Sequence, residues 1–146
     1  MIIVKPKVYK RGSPAAILKA AGLSVGGGSD NRIQLVANGT FSSDTLWTKT
    51  TWTIAAGVAS IAGASTDTMT QAISITAGIS YLVTFTVTSF TVGTVTAILG
   101  GTSGAARGSA ATFAEIIKAG STNRLINFSA SAAILSIDNA TILQMG

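Results

Sequence analysis

Trp47 and Trp52 are the side chains of this sequence best suited to surface chemistry, because a flat indole stacks on the apolar face of a pyranose ring at little entropic cost. They stand five residues apart among threonines, in LVANGTFSSDTLWTKTTWTIAAGVASIAGA, residues 35 to 64. On one continuous strand that odd spacing sends the two rings to opposite faces, so a shared platform needs a turn or bulge between them. The other reading makes Trp47 a core residue near the end of a sheet and Trp52 an edge cap. Both readings stay open at the level of sequence.

The remaining inventory is sparse. The chain of 146 residues has no Cys and no His, and five acids (Asp30, Asp44, Asp67, Glu115, Asp138) against ten bases. Thiol and imidazole chemistry are absent, and so are zinc sites, whose ligands are Cys and His with occasional carboxylates. A nucleophile within reach of a base is hard to assemble from such a set, so the expectation is a protein that is not an enzyme. The stretch LGGTSGAARGS, residues 99 to 109, has the glycines of an anion-binding loop but lacks the Gly-Lys-Ser/Thr ending, and reads as a hairpin loop with Arg107 exposed. Three Asn-x-Ser/Thr sequons, at Asn38, Asn127 and Asn139, arise readily by chance in so Ser- and Thr-rich a chain.

The length suits a single domain with a real core and no disulfides. Apolar residues are scattered among Thr, Ser and Gly rather than gathered about twenty in a row, so no membrane partner is expected. Lys19 interrupts the short apolar patch near the N-terminus, which does not read as a signal peptide.

The charge is uneven. Lys5, Lys7, Lys10, Arg11, Lys19 and Arg32 crowd residues 1 to 32, where Asp30 is the one acid. Inside this basic arm SPAAILKAAGL predicts a short helix, with Ser13 as N-cap, Pro14 at the first helical position and Gly22 as the stop. A helix of two turns is marginal alone, so Ile17, Leu18 and Ala21 must dock on something. SVGGGSD, residues 24 to 30, reads as a flexible joint. Ordering some thirty residues costs roughly 30–60 kcal/mol of backbone entropy, which only contacts can offset. The arm's own domain or, in preference, a partner surface is the place for them. Lys5, Lys7, Lys10, Arg11, Ile17, Leu18 and Lys19 are the candidate partner-binding residues. Five or six charges without interleaved aromatics favour an acidic protein surface over nucleic acid.

From Ile33 onward strand signals take over, and residues 33 to 146 form the second part of the chain. YLVTFTVT, residues 81 to 88, puts Tyr81, Val83, Phe85 and Val87 on one face and Leu82, Thr84, Thr86 and Thr88 on the other. Weaker patterns in IQLVAN, TLWTKTTWTI, GVASIAG, TMTQAISI, GTVTAILGG, AATFAEIIKA, RLINFSA and ILSIDNATILQ bring the total to about eight or nine strands, an all-β antiparallel sandwich or barrel. AATFAEIIKAGS also has local helix propensity, which a β context tends to override.

Taken in order, the Asn38-Gly39-x-Phe41 opening, Trp47, Trp52, GVA, the long strand after TAG-x-x-Y, LGGTSG and the closing IDN resemble carbohydrate-binding-module-like, galactose-binding-like jelly rolls, which also occur in phage virion proteins. The resemblance covers about residues 34 to 144 and leaves the arm outside it. Thr40 stands where members often carry an acid, and nine aromatic residues in all are few for a sugar-binding face. The resemblance implies a jelly-roll β-sandwich behind an N-terminal arm, with Asp138 and backbone carbonyls placed to hold a structural Ca²⁺ as the one candidate cofactor. The alternative for Asp138 and Asn139 is hydrogen bonding to the backbone at a strand end. The layout is similar to small capsid decoration or cement proteins. The expectation is therefore a virion protein on the outer capsid surface, bound through its arm to the major capsid protein or another virion protein. Self-association, for instance as a trimer, would match a shell's symmetry. The alternative is a carbohydrate- or receptor-binding module of a tail or head fibre, using Trp47 or Trp52 on a surface glycan.

Overall fold

The computed structural model describes residues 32–121 and 123–145. The predicted helix and the basic arm up to residue 31 lie outside them. Contacts group Gln34–Gly146 as one unit. Its strands are β1 (Thr53–Ala55), β2 (Val58–Ala72), β3 (Ser80–Leu99), β4 (Thr102–Ser103), β5 (Ala111–Lys118) and β6 (Leu125–Gln144). They form one antiparallel sheet in the order β1-β2-β6-β3-β4, with β5 also on β3.

The strand count differs from the eight or nine expected, because breaks that read as turns are bends within a strand. GVASIAG and TMTQAISI merge into β2, YLVTFTVT and GTVTAILGG into β3, and RLINFSA and ILSIDNATILQ into β6. IQLVAN contributes only a bridge from Gln34 to Leu143, and TLWTKTTWTI a bridge from Thr48 to Thr70 followed by β1. AATFAEIIKA is a strand, since its residues pair one for one with β3 from Ser80↔Lys118 to Val87↔Ala111. The two true hairpin turns, Ala56 with Gly57 and Gly100 with Gly101, have two left-handed residues each, the geometry whose twist matches the flanking strands.

The bends in the long strands line up. Ala64 (φ 53°) follows Gly63 (φ 72°) in β2, Ala132 has φ 47° in β6, and Gly93 has φ 87° in β3. The register sets these residues beside one another, with shifts between Ile61 and Ser65 in β2 and between Val92 and Thr94 in β3. A row of bulges across three strands makes a crease, since each adds local bend and twist. The result is visible in the core. Phe128 pairs in register with Ala97, twelve residues beyond Phe85 along β3, a distance of about 40 Å on a straight strand. Yet the rings of Phe85 and Phe128 are 5.2 Å apart, edge to face. The sheet therefore folds back on itself and encloses its own inner face.

Side-chain alternation confirms the direction of folding. Tyr81, Val83, Phe85 and Val87 are all buried, as the YLVTFTVT pattern predicts, while their neighbours Leu82, Thr84 and Thr86 are half-buried. In β6 the buried set runs Ile126, Phe128, Ala130, then Ala133, Leu135, Ile137, then Ala140, Ile142. The parity changes at Ala132 and again at Asn139 (φ 53°), so each left-handed residue restores the apolar set to the inside.

Gly93 is the least replaceable residue of the crease. A Cβ there would lie 2.3 Å from the Ala132 carbonyl oxygen and 2.5 Å from Ala133 Cα, both backbone atoms of the neighbouring strand. Gly78 has the same kind of backbone (φ 86°) but open space around it. Gly93→Ala is expected to lower stability by roughly 2–4 kcal/mol and Gly78→Ala by about 1 kcal/mol, read as shifts in the urea midpoint. Equal losses would remove the crease as a special constraint.

Candidate functional site

The segment between Val36 and β1 is held by side chains rather than by a ladder. Asn38, itself left-handed (φ 53°), accepts the Ser42 N–H at 3.0 Å and donates through Nδ2 to the carbonyls of Ser43 and Thr45 at 2.7 and 3.1 Å. Asn-type side chains suit this task because they bond local backbone groups and tolerate the left-handed region. Gln71, buried on β2, imitates a strand partner: its Oε1 accepts the Ala37 N–H at 2.8 Å and its Nε2 donates to the Ala37 carbonyl at 2.9 Å.

Both tryptophans are pinned inward by this scaffold. Trp47 is 6% and Trp52 2% exposed. Trp47 Nε1 donates to the Asn38 carbonyl and Trp52 Nε1 to the Asp67 carbonyl, each at 3.2 Å. Trp47 belongs to a chain of five rings: Phe41, Trp47, Phe128, Phe85 and Phe113, with centroids 5.5, 5.9, 5.2 and 5.7 Å apart in turn. Arg107 closes the far end, its guanidinium carbon 4.8 Å from the Phe113 centroid. Neither indole presents a stacking face to solvent.

What the loop does expose is Leu46, a residue that sequence reasoning missed. It is 62% exposed and left-handed (φ 72°), a combination that costs free energy for a large side chain and marks a position imposed by its surroundings. Nothing in the sequence signals it. Leu46 lines an open groove of about 350 Å³ together with Ala37, Ala72, Leu125, Thr48, Thr70 and Gln71. Such a lining suits an amphipathic group, such as a sugar face or a partner's side chain, and has no titratable member.

The four acids of the described residues are each engaged locally. Asp44 pairs with Lys49, and Glu115 Oε1 accepts from Arg107 Nη2 at 2.6 Å and from the Ala105 N–H at 3.1 Å. Arg107 is therefore half-buried in an ion pair, contrary to the expected exposed loop position; Phe113 and Glu115, both on the inward side of β5, draw it down. Asp138 Oδ1 accepts the Asn139 N–H at 2.6 Å. No group of three or more acidic side chains converges among the described residues. The Asp138 bond to the Asn139 N–H matches the alternative expected for these two residues, hydrogen bonding to the backbone within a strand.

Lys5, Lys7, Lys10, Arg11, Ile17, Leu18 and Lys19 lie outside the described residues.

No family model matches the chain, and no curated protein matches it. Among solved structures, the fold is similar to the enzymatically active domain of tailspike protein 4 of bacteriophage CBA120, with a TM-score of 0.53 and 18% sequence identity. The match covers 77% of this chain and 22% of that one, so this chain corresponds to a minor part of the larger domain. At that identity the likeness concerns the fold alone, an all-β module also present in a phage tailspike. It corrects one expectation. The reading of the chain as non-enzymatic rested on its missing His and Cys and its few acids, but this fold occurs within a domain described as enzymatically active. Carboxylates alone can carry acid–base and nucleophilic steps, so residue inventory does not separate such a fold from catalysis.

Asp67 is the anchor of the loop beside the groove. Its Oδ2 accepts the Thr51 N–H at 2.6 Å, and this bond chiefly holds its carboxyl below the ordinary carboxylate range. Partial desolvation opposes the effect, and the N–H groups of Thr68, Thr50 and Trp52 add to it. A folded pKa below the unfolded one contributes stability above about pH 4 that is lost as the pH falls through the folded value. The urea midpoint of the wild type should therefore drop more between about pH 7 and pH 3 than that of Asp67→Asn. Identical drops would mean that the bond carries no net stabilisation.

Proposed function

We propose that the chain is a bacteriophage virion component, a β module of a tailspike or fibre, held to its assembly through the basic segment of residues 1 to 32. The observation that carries this reading is the fold match: most of this chain superimposes on a small part of a tailspike domain, the relation expected of a module reused in a larger adhesin. The distribution of charge supports the mode of attachment. Six of the ten bases fall within residues 1 to 32, and residues 34 to 146 carry four bases against four acids, leaving attraction to an acidic protein surface to the arm. The exposed Leu46 groove is the surface offered to a host glycan or receptor, in place of the buried tryptophans.

Gold-labelled antibody against the chain should decorate the tail of purified virions in electron micrographs. Removal of residues 1 to 25, with Lys5, Lys7, Lys10, Arg11, Ile17, Leu18 and Lys19, should abolish incorporation while the far-ultraviolet circular dichroism keeps its β signature. Label over the capsid would replace this reading with shell decoration through the same residues. Virions without label would overturn both.

A further inference from the structure

The loop before β1 is knotted at a chemically labile step. Asn38 is the only asparagine of the chain that is followed by glycine. Asparagine is a thermolabile residue type, and its weak point is intramolecular: the backbone nitrogen of the next residue can attack the side-chain carbonyl carbon. A following glycine favours the attack, because it has no side chain to shield that nitrogen or restrain the backbone around it.

The folded loop denies this pair the geometry of attack. Closure requires the Asn38 amide to present its plane to the Gly39 nitrogen and Nδ2 to be free to leave. Instead, Nδ2 donates to the Ser43 and Thr45 carbonyls at 2.7 and 3.1 Å, and Oδ1 accepts the Ser42 N–H at 3.0 Å and the Ser42 hydroxyl at 3.3 Å. These bonds fix the amide plane and engage both of its polar atoms. Gly39 is held too: its carbonyl accepts the Ala140 N–H at 2.9 Å, and a Cβ at this position would lie 2.0 Å from the Ala140 carbonyl oxygen. Neither residue can turn towards the other until the loop opens.

We propose that Asn38 is a latent modification site, a succinimide-forming switch that the closed loop suppresses and that cannot refasten the loop once converted. On opening, the Gly39 nitrogen loses its proton and bonds to Asn38 Cγ, the Cγ–Nδ2 bond breaks, and Nδ2 departs with that proton as ammonia. Water then opens the cyclic imide. Hydrolysis of the new Cγ–N bond leaves an aspartate at position 38, and hydrolysis at the original peptide carbonyl leaves an isoaspartyl link through Cγ. One water is consumed and one ammonia released, with no change of oxidation state.

Either product undoes the knot. A carboxylate has no N–H for the Ser43 and Thr45 carbonyls and sets a negative charge against their oxygens. The isoaspartyl link also takes out of the main chain the carbonyl that accepts Trp47 Nε1 and the Phe41 N–H, each at 3.2 Å. Ala37 and Leu46, neighbours of Asn38 and Trp47 that line the groove, lose their fixed places with them.

The purified full-length chain is incubated in mildly alkaline buffer, native or unfolded in guanidinium chloride, and conversion at position 38 is followed by peptide mass spectrometry and isoaspartyl methyltransferase labelling. Conversion should be at least about tenfold slower in the native protein, because attack waits for local opening. Trp47→Phe keeps a ring in the core but removes the Nε1 donor, and should raise the native rate while leaving the unfolded rate unchanged. Trp47 and Trp52 are the only tryptophans and both are buried, so converted protein should emit at longer wavelength and unfold at a lower denaturant midpoint. Equal native and unfolded rates, no conversion at position 38 in the unfolded chain, a native rate unmoved by Trp47→Phe, or converted protein with unchanged emission and midpoint would each overturn the proposal. No virion is involved, so the outcome is separate from that of the tailspike reading.

Discussion

The fold depends on three strands bending at the same place. Gly63 with Ala64, Ala132 and Gly93 form a row of left-handed residues across β2, β6 and β3, and only their alignment lets the sheet double over without tearing its ladder. A bend in one strand alone would leave its neighbours straight and unpair the backbone, whose buried polar groups are costly to leave unsatisfied. Gly93 is the tightest point, because the neighbouring backbone occupies the space a side chain would need.

Doubling over creates the interior that the aromatic residues fill. Phe85 and Phe128 meet across the fold, and Phe113, Trp47 and Phe41 extend the contact to β5 on one side and to the loop before β1 on the other. Tilted and edge-to-face rings of this kind contribute beyond their buried area. The loop is thus fastened by the buried Trp47, Trp52 and Gln71 and by Asn38 and Asp67 nearer the surface. Between these fastenings Leu46 is forced outward, and the groove beside it is a consequence of the core rather than a separate construction. The groove is small, uncharged and amphipathic, suited to a ligand group.

Composition and local pattern determined the β class, the division between a basic arm and a near-neutral remainder, and the inward face of residues 81 to 88, because strict alternation leaves one choice of face wherever one side is buried. The core reading of the tryptophans was legible beside the sugar-stacking one, but five-residue spacing could not choose between them. Tertiary structure decided the rest. Ala64, Ala132 and Asn139 sit inside continuous strands with left-handed backbones, and two of them are alanines, a residue type that announces no bend; the strands consequently looked shorter and more numerous than they are. Arg107, expected exposed in a hairpin loop, is instead drawn onto Phe113 and Glu115, and Leu46, on which the sequence carries no signal, is exposed. A residue's type sets what it can do, but its face is set by neighbours far away in sequence, and those are chosen only when the crease closes.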